Sequence, residues 1–230
     1  TGAPQVAMSA AKLGSNGTAV VTIDEAGTVY LVLDGVQVTD SSSIAMQAVK
    51  FISFTNAQAN KNQNLDVQNL ADGGYWAYGV DSLGNLSSKS AYSITVDNTA
   101  PTISGGASAS VLENVLSNTV VYETGARDTN SLVYALKTVD DYASFSINPA
   151  GQVKITTSPD FENKNSYSFT VQVSDGVNIT EQAVTLSVTN VNEAPTGADK
   201  TITLNEDSRY TFSASDFGFN DATGETGSLT

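Results

Sequence analysis

Asn98-Thr99-Ala100-Pro101-Thr102 returns later in the chain as Asn192-Glu193-Ala194-Pro195-Thr196, and the chain opens on Thr1-Gly2-Ala3-Pro4. Pro4, Pro101 and Pro195 stand 97 and 94 residues apart, so the linkers mark out units of nearly equal length. Upstream of them, Ala91-Tyr92-Ser93-Ile94-Thr95-Val96 matches Ser166-Tyr167-Ser168-Phe169-Thr170-Val171 in its alternation of apolar and polar residues. Such a period of two is the mark of a half-buried strand. It recurs in Thr28–Leu33, Gln152–Thr156, Tyr167–Val173 and Val184–Val188. Turn chemistry separates these segments, in Asp34-Gly35, Asp72-Gly73-Gly74, Leu83-Gly84-Asn85, Ala150-Gly151 and Asp175-Gly176. Short punctuated strands in units of this size predict antiparallel β-sandwiches.

The spacing therefore sets modules at 1–98 and 99–194, with a third starting at 195 and running to 230. In the third, strands are expected around Thr201–Leu204 and Tyr210–Ala214. Two strands cannot hold a core alone, so the sequence leaves open whether module two, another chain or a later segment supports them. One helical candidate, Ser41–Val49 after a capping Asp40, has only a weak apolar stripe at Ile44, Ala45 and Ala48. It reads as a loop turn.

Composition removes most chemistry. Among 230 residues there is no Cys and no His, so disulfides, thiol nucleophiles, zinc sites and Ser-His-Asp triads are absent. The formal charge of −14 opposes binding to nucleic acid or anionic lipid. With 40% hydrophobic and only 15% charged residues, the chain can still build cores. No apolar run reaches the roughly 20 residues of a membrane helix, and no signal peptide opens the sequence. A soluble internal piece of a larger protein is expected.

Module two carries five short motifs in order: Glu113-Asn114, Asp128-Thr129-Asn130, Asp160-Phe161-Glu162, Val173-Ser174-Asp175-Gly176 and Asn190-Val191-Asn192-Glu193-Ala194-Pro195. Together they resemble a cadherin repeat. The corresponding family features are an early Glu, an Asp-x-Asp loop, a Leu-Asp-Arg-Glu motif, an x-x-Asp-x-Gly motif and an Asp-x-Asn-Asp-Asn-Pro linker. More loosely, module one resembles the bacterial Ig-like repeats, through Gly74-Tyr75, Val80–Asn85 and the exit Val96–Pro101.

What the resemblance implies is calcium binding at the joints between tandem sandwiches arranged as a linear rod. Calcium takes six to eight oxygen ligands, more than one strand end supplies. At the lower end of module two, Glu113, Asp160 and Glu162 would act with linker residues Asn190, Asn192 and Glu193, and with Asp216 of module three. At its upper end, Asp128, Asn130 and Asp175 would act with Asp97 and Asn98, and with Glu25 of module one. Asp81 would lie at the N-terminal face of module one. Asn130 stands where the family often has a second aspartate, and Glu193 replaces the usual linker Asp, which implies fewer ions per joint or weaker affinity.

Such repeats build the extracellular stalks of giant calcium-dependent RTX adhesins, exported by type I secretion and displayed on bacterial surfaces. The resemblance implies a monomeric spacer whose partners are the neighbouring modules of its own chain, with a glycan or surface protein as the adhesive ligand. Asp160 and Glu162 also suggest a glycosidase pair. Their i, i+2 spacing is short and fixed, and no aromatic cleft surrounds them, so no catalytic activity is expected.

One feature points to a different ligand. In Tyr75-Trp76-Ala77-Tyr78-Gly79-Val80, alternation puts Trp76, Tyr78 and Val80 on one face and Tyr75, Ala77 and Gly79 on the other. Burial of the larger set is the preferred reading, because a lone Trp is usually well covered. With Tyr75 inside instead, Trp76 and Tyr78 become an outer aromatic strip that could stack on sugars.

Overall fold

Eight short strands account for the first hundred residues of the computed structural model, which describes residues 2–219. They are β1 (Val6–Met8), β2 (Ala11–Leu13), β3 (Thr18–Ile23), β4 (Gly27–Leu33), β5 (Lys50–Phe54), β6 (Gln63–Asp66), β7 (Gly73–Asp81) and β8 (Ser93–Val96). They form two sheets, β1-β3-β6 and β2-β8-β7-β4-β5. The first strand divides between them: β1 pairs antiparallel with β3, and β2 pairs parallel with β8. That parallel edge departs from the all-antiparallel expectation.

Alternation decides which side of each strand is inside. Val29 and Leu31 of β4, Tyr75 and Ala77 of β7, and Ile94 and Val96 of β8 enter one buried cluster with Val21, Ile23, Leu65 and Val67. Tyr75 is therefore a core residue, and its hydroxyl leaves the core by donating to the Ala71 carbonyl at 2.8 Å. The preferred reading of the Tyr75–Val80 segment is overturned. Trp76 and Tyr78 point outward and are only half-buried.

The segment read as a loop turn is a helix, α1 (Ser41–Gln47). Its weak stripe is rescued at the N-terminus, where the Asp40 carboxylate accepts from Ser43 N at 2.7 Å while Ser43 Oγ accepts from Asp40 N at 3.2 Å. The helix touches β4. Ile44 and Val32 are both fully buried yet lie outside the main cluster, so α1 is what covers the outward-facing Val32. One buried anchor and one cap hold a helix that periodicity alone does not reveal.

The rest of the described chain supplies β9 (Thr102–Ile103), β10 (Ser108–Leu112), β11 (Val120–Glu123), β12 (Ala126–Arg127), β13 (Val133–Leu136), β14 (Phe145–Ile147), β15 (Gln152–Ile155), β16 (Ser166–Ser174) and β17 (Ile179–Thr189). Their sheets are β10-β17-β16-β13, β11-β15-β14 and the short pair β12-β9. Here too the early strand adds in parallel, β10 to β17. Phe169 is at the centre of the aromatic packing, with Phe145 at 4.6 Å and Tyr122 at 5.8 Å between ring centroids. Among the described residues the buried Tyr122 hydroxyl has no hydrogen-bond partner.

By contacts the chain divides into two units. One gathers the residues up to Ile103 with Ala126–Val133 and Val173–Thr180; the other gathers Ser104–Gly125, Tyr134–Gln172 and the residues from Glu181 on. The strands expected at Thr201–Leu204 and Tyr210–Ala214 are not formed. Those residues run as coil and turn into a short 3-10 helix, Ala214–Asp216. Leu204, Tyr210 and Phe212 stay exposed there, and without a covered face the ladder gains nothing.

Candidate metal centre

Three carboxylates meet at one end of the second unit. Glu113 follows β10, Asp160 and Glu162 lie in the turn between β15 and β16, and one oxygen from each falls within 4.8 Å of the others. Glu113 organises the group. It is only 3% exposed; Oε2 accepts from Phe161 N at 2.8 Å, and Oε1 accepts from Val191 N at 2.7 Å. One side chain thus ties the acidic turn to the segment that follows β17. Asn114, at φ +60°, follows it and donates through Nδ2 to Glu193 Oε1 at 2.6 Å. Asn190 Nδ2 donates to Glu162 Oε1 at 2.9 Å.

Three carboxylates this close repel one another. The Glu162 carboxyl is pushed above its ordinary value by desolvation and by the neighbouring charges of Glu113, Glu193 and Asp160. None of the Lys–carboxylate ion pairs among the described residues includes Glu113, Asp160 or Glu162. Lys164, close in sequence, is engaged with Asp141 at 2.5 Å. Concentrated negative oxygen without a lysine or arginine partner fits a hard cation such as calcium.

The expected lower set is thus brought together in Glu113, Asp160, Glu162, Asn190 and Glu193. Asn192 turns its amide to the Glu193 carbonyl at 3.0 Å. Asp216 is engaged elsewhere: it accepts from Lys200 Nζ at 2.5 Å, Tyr210 OH at 2.7 Å and Ser213 N at 2.8 Å. Lys200 foremost draws its carboxyl well below the usual range.

The expected upper set lies within the first unit and is held by amides. Asn130 Nδ2 donates to Asp97 Oδ2 at 2.7 Å, and Asp128 Oδ1 accepts from Asn130 N at 2.8 Å. Asn178 is the centre of this network and was missed by sequence reasoning. Its Nδ2 reaches the Asp97 carbonyl at 3.2 Å, the Thr99 carbonyl at 3.1 Å and Asp175 Oδ2 at 3.1 Å. Burial pushes the Asp175 carboxyl up, but the N–H groups of Asn178 and Val177 outweigh it and hold the group low. Asn98 is held by Asp72, which accepts from Asn98 N at 2.7 Å. Asp72 and Asn178 read locally as turn residues, and nothing in the sequence marks their long-range partners.

Glu25 does not join this network. In the five-stranded sheet Gly27 pairs with Asp81 at one end, whereas Gly73 pairs with Val96 at the other. The nine residues of β7 separate them by roughly 27 Å at about 3.4 Å per residue. Glu25, in the turn before β4, thus shares the far end with Asp81, whose carboxylate binds Leu83 N and Asn85 N, each at 2.8 Å.

The outward face of β7 forms a separate feature. Trp76 Nε1 donates to Asp34 Oδ1 at 2.9 Å, and Lys89 Nζ lies 4.0 Å above the indole ring centre. Together with Leu33, Tyr78 and residues 35–38 they line a depression of about 300 Å³.

No protein-family model matches the chain, and no curated protein matches it. Among solved structures it is similar to extracellular cadherin domains 1–4 of protocadherin gamma B7, at 18% identity over 90% of this chain and 56% of that one, with a TM-score of 0.39. It thus spans about half the length of that structure. Drosophila N-cadherin EC1–3 is 17% identical over 81% of this chain and 68% of that one, with a TM-score of 0.38. The I-band fragment I67–I69 of titin is 13% identical over 85% and 67%, with a TM-score of 0.47.

Proposed function

We propose that the chain is a calcium-stiffened extracellular spacer of a bacterial surface adhesin, built from modules at 1–98 and 99–194 with a further module starting at 195. The observation that carries the proposal is the trio Glu113, Asp160 and Glu162, three carboxylates with one oxygen each within 4.8 Å of the others and in none of the ion pairs among the described residues, beside the segment that leaves β17. Glu113 already grips that segment through Val191 N, so a cation held by the trio would be fastened to the joint itself.

Glu113, Asp160 and Glu162 would supply the carboxylate oxygens, with Glu193 beside them. Asn190 would add its amide oxygen after a half-turn about its terminal bond. The ion would provide positive charge to a trio that takes part in no ion pair among the described residues. Without it, repulsion among the carboxylates loosens the turn and the linker together. An ion bound only by the folded form adds about 2.7 kcal/mol of stability at a hundredfold excess over its dissociation constant.

Asp97, Asp128, Asn130 and Asp175, with Asn98, are the proposed upper set. Here the amides of Asn130 and Asn178 cross-link the acidic residues directly, so this set depends less on calcium than the lower one. The RTX family, type I secretion and the bacterial surface belong to the same proposal through the motif resemblance. Small-angle scattering and thermal melting in calcium and in chelator test it. A longer maximum dimension and a higher melting temperature in calcium support the spacer, and identical values in both abolish it.

A further inference from the structure

We infer that the outer face of the β2-β8-β7-β4-β5 sheet holds a saccharide-binding site centred on Trp76. The outer faces of a solvated sandwich are ordinarily polar, and a spacer needs nothing else there. This face instead carries aromatic residues in register. Phe51 pairs with Tyr30 and Tyr30 with Tyr78 across β5, β4 and β7, the first two rings lying 5.9 Å apart. Trp76 stands one row away, opposite Val32.

Beside Trp76 the surface sinks into the depression of about 300 Å³, at the lower limit of small-ligand sites. Its wall is built by the turn after β4, where Gly35 takes φ +81° and the chain leads towards α1. Asp34 fixes the indole edge, and both of its contacts, to Trp76 Nε1 and Gly35 N, fall on Oδ1, which leaves Oδ2 available as an acceptor. Desolvation, and after it the charge of Asp34, keep the Tyr78 phenol protonated to higher pH than usual. Gln37 and Lys89 complete the rim.

A flat apolar ring inside a rim of acceptors and donors suits a pyranose, which has one face of C–H groups and an edge of hydroxyls. An apolar ligand would strand the polar rim, and a polyanion would meet the chain's net charge of −14. Lys89 at present occupies the indole face as a cation–π partner. A neutral sugar must displace it, whereas a sugar with a single carboxylate recruits it as a counter-charge.

The chain has one tryptophan, so its emission reports on this site directly. The whole chain is titrated with neutral hexosides and with uronic or sialic acid glycosides, by fluorescence and by calorimetry, in calcium and in chelator. Saturable binding is expected, weakened at least about tenfold in Trp76→Ala, partly restored in Trp76→Phe, and indifferent to calcium. Lys89→Ala should tighten a neutral ligand and weaken an acidic one. Absence of binding by either class, or equal binding by a folded Trp76→Ala, overturns the inference. Neither result bears on the calcium centre.

Discussion

Replacing Glu113 by alanine removes the side chain that ties the acidic turn to the linker after β17, and the cost follows from its two contacts. Each is a charge-assisted hydrogen bond, to Phe161 N at 2.8 Å and to Val191 N at 2.7 Å, and such bonds contribute about 1.5–3 kcal/mol apiece. At 3% exposure solvent screens the carboxylate little in the native state, but water entering the vacated space recovers part of the loss. A net destabilisation of about 3 kcal/mol is expected in chelator. For a domain of this size that lowers the melting temperature by roughly 12–24 °C. In calcium the gap should widen, because the variant also loses the linkage stabilisation of about 2.7 kcal/mol at a hundredfold ligand excess. Differential scanning calorimetry of both proteins in both buffers makes the comparison. A shift below about 2 °C in chelator, far under the expected scale, would refute the structural role of Glu113. A full calcium response in the variant would refute its role as a ligand.

The raised Glu162 carboxyl gives a pH signature. Its folded value lies above the ordinary 4.5, so the folded chain holds a proton that the unfolded chain has released, and acidifying from neutrality towards 4.5 adds stability. The melting temperature of the parent relative to Glu162→Gln should therefore rise over that window in chelator and not in saturating calcium, where proton and ion compete; the absence of a relative rise in chelator contradicts this sign. Ile44→Ala should cost about 2–4 kcal/mol by uncovering Val32, read by urea unfolding, whereas a cost below about 0.5 kcal/mol, the range of an ordinary surface substitution, would show that α1 is not anchored there. Tyr122→Phe removes a buried hydroxyl that has no partner among the described residues and should leave stability unchanged or raise it slightly. A loss above about 1 kcal/mol in urea would mean that the hydroxyl is satisfied in solution.

Strands and turns were legible in the sequence because their determinants are local. Thr28–Leu33 alternates and becomes β4, and the glycines of Asp34-Gly35, Ala150-Gly151 and Asp175-Gly176 all take positive φ. Helix α1 escaped because its stability comes from a cap and a single buried residue. The facing of β7 was misjudged on size: Tyr75 can bury its ring while its hydroxyl reaches Ala71, whereas the wide indole of Trp76 is held outside by Asp34 and Lys89. Glu113, Asp160 and Glu162 were visible as an ordered motif and are adjacent in the structure. Glu25 was placed at the wrong end, because strand register, not sequence proximity to a turn, decides which loops share an end. Asn178 gave no signal, since its partner Asp97 is 81 residues away.

The most direct test of the central claim is calorimetric titration of the metal-stripped chain with calcium, alongside Asp160→Asn and Glu162→Gln. The account predicts saturable binding by the parent chain and at least about a tenfold loss of affinity in either variant, with melting curves in chelator no lower than the parent's. Absence of calcium binding, or binding that survives both substitutions unchanged, would contradict it.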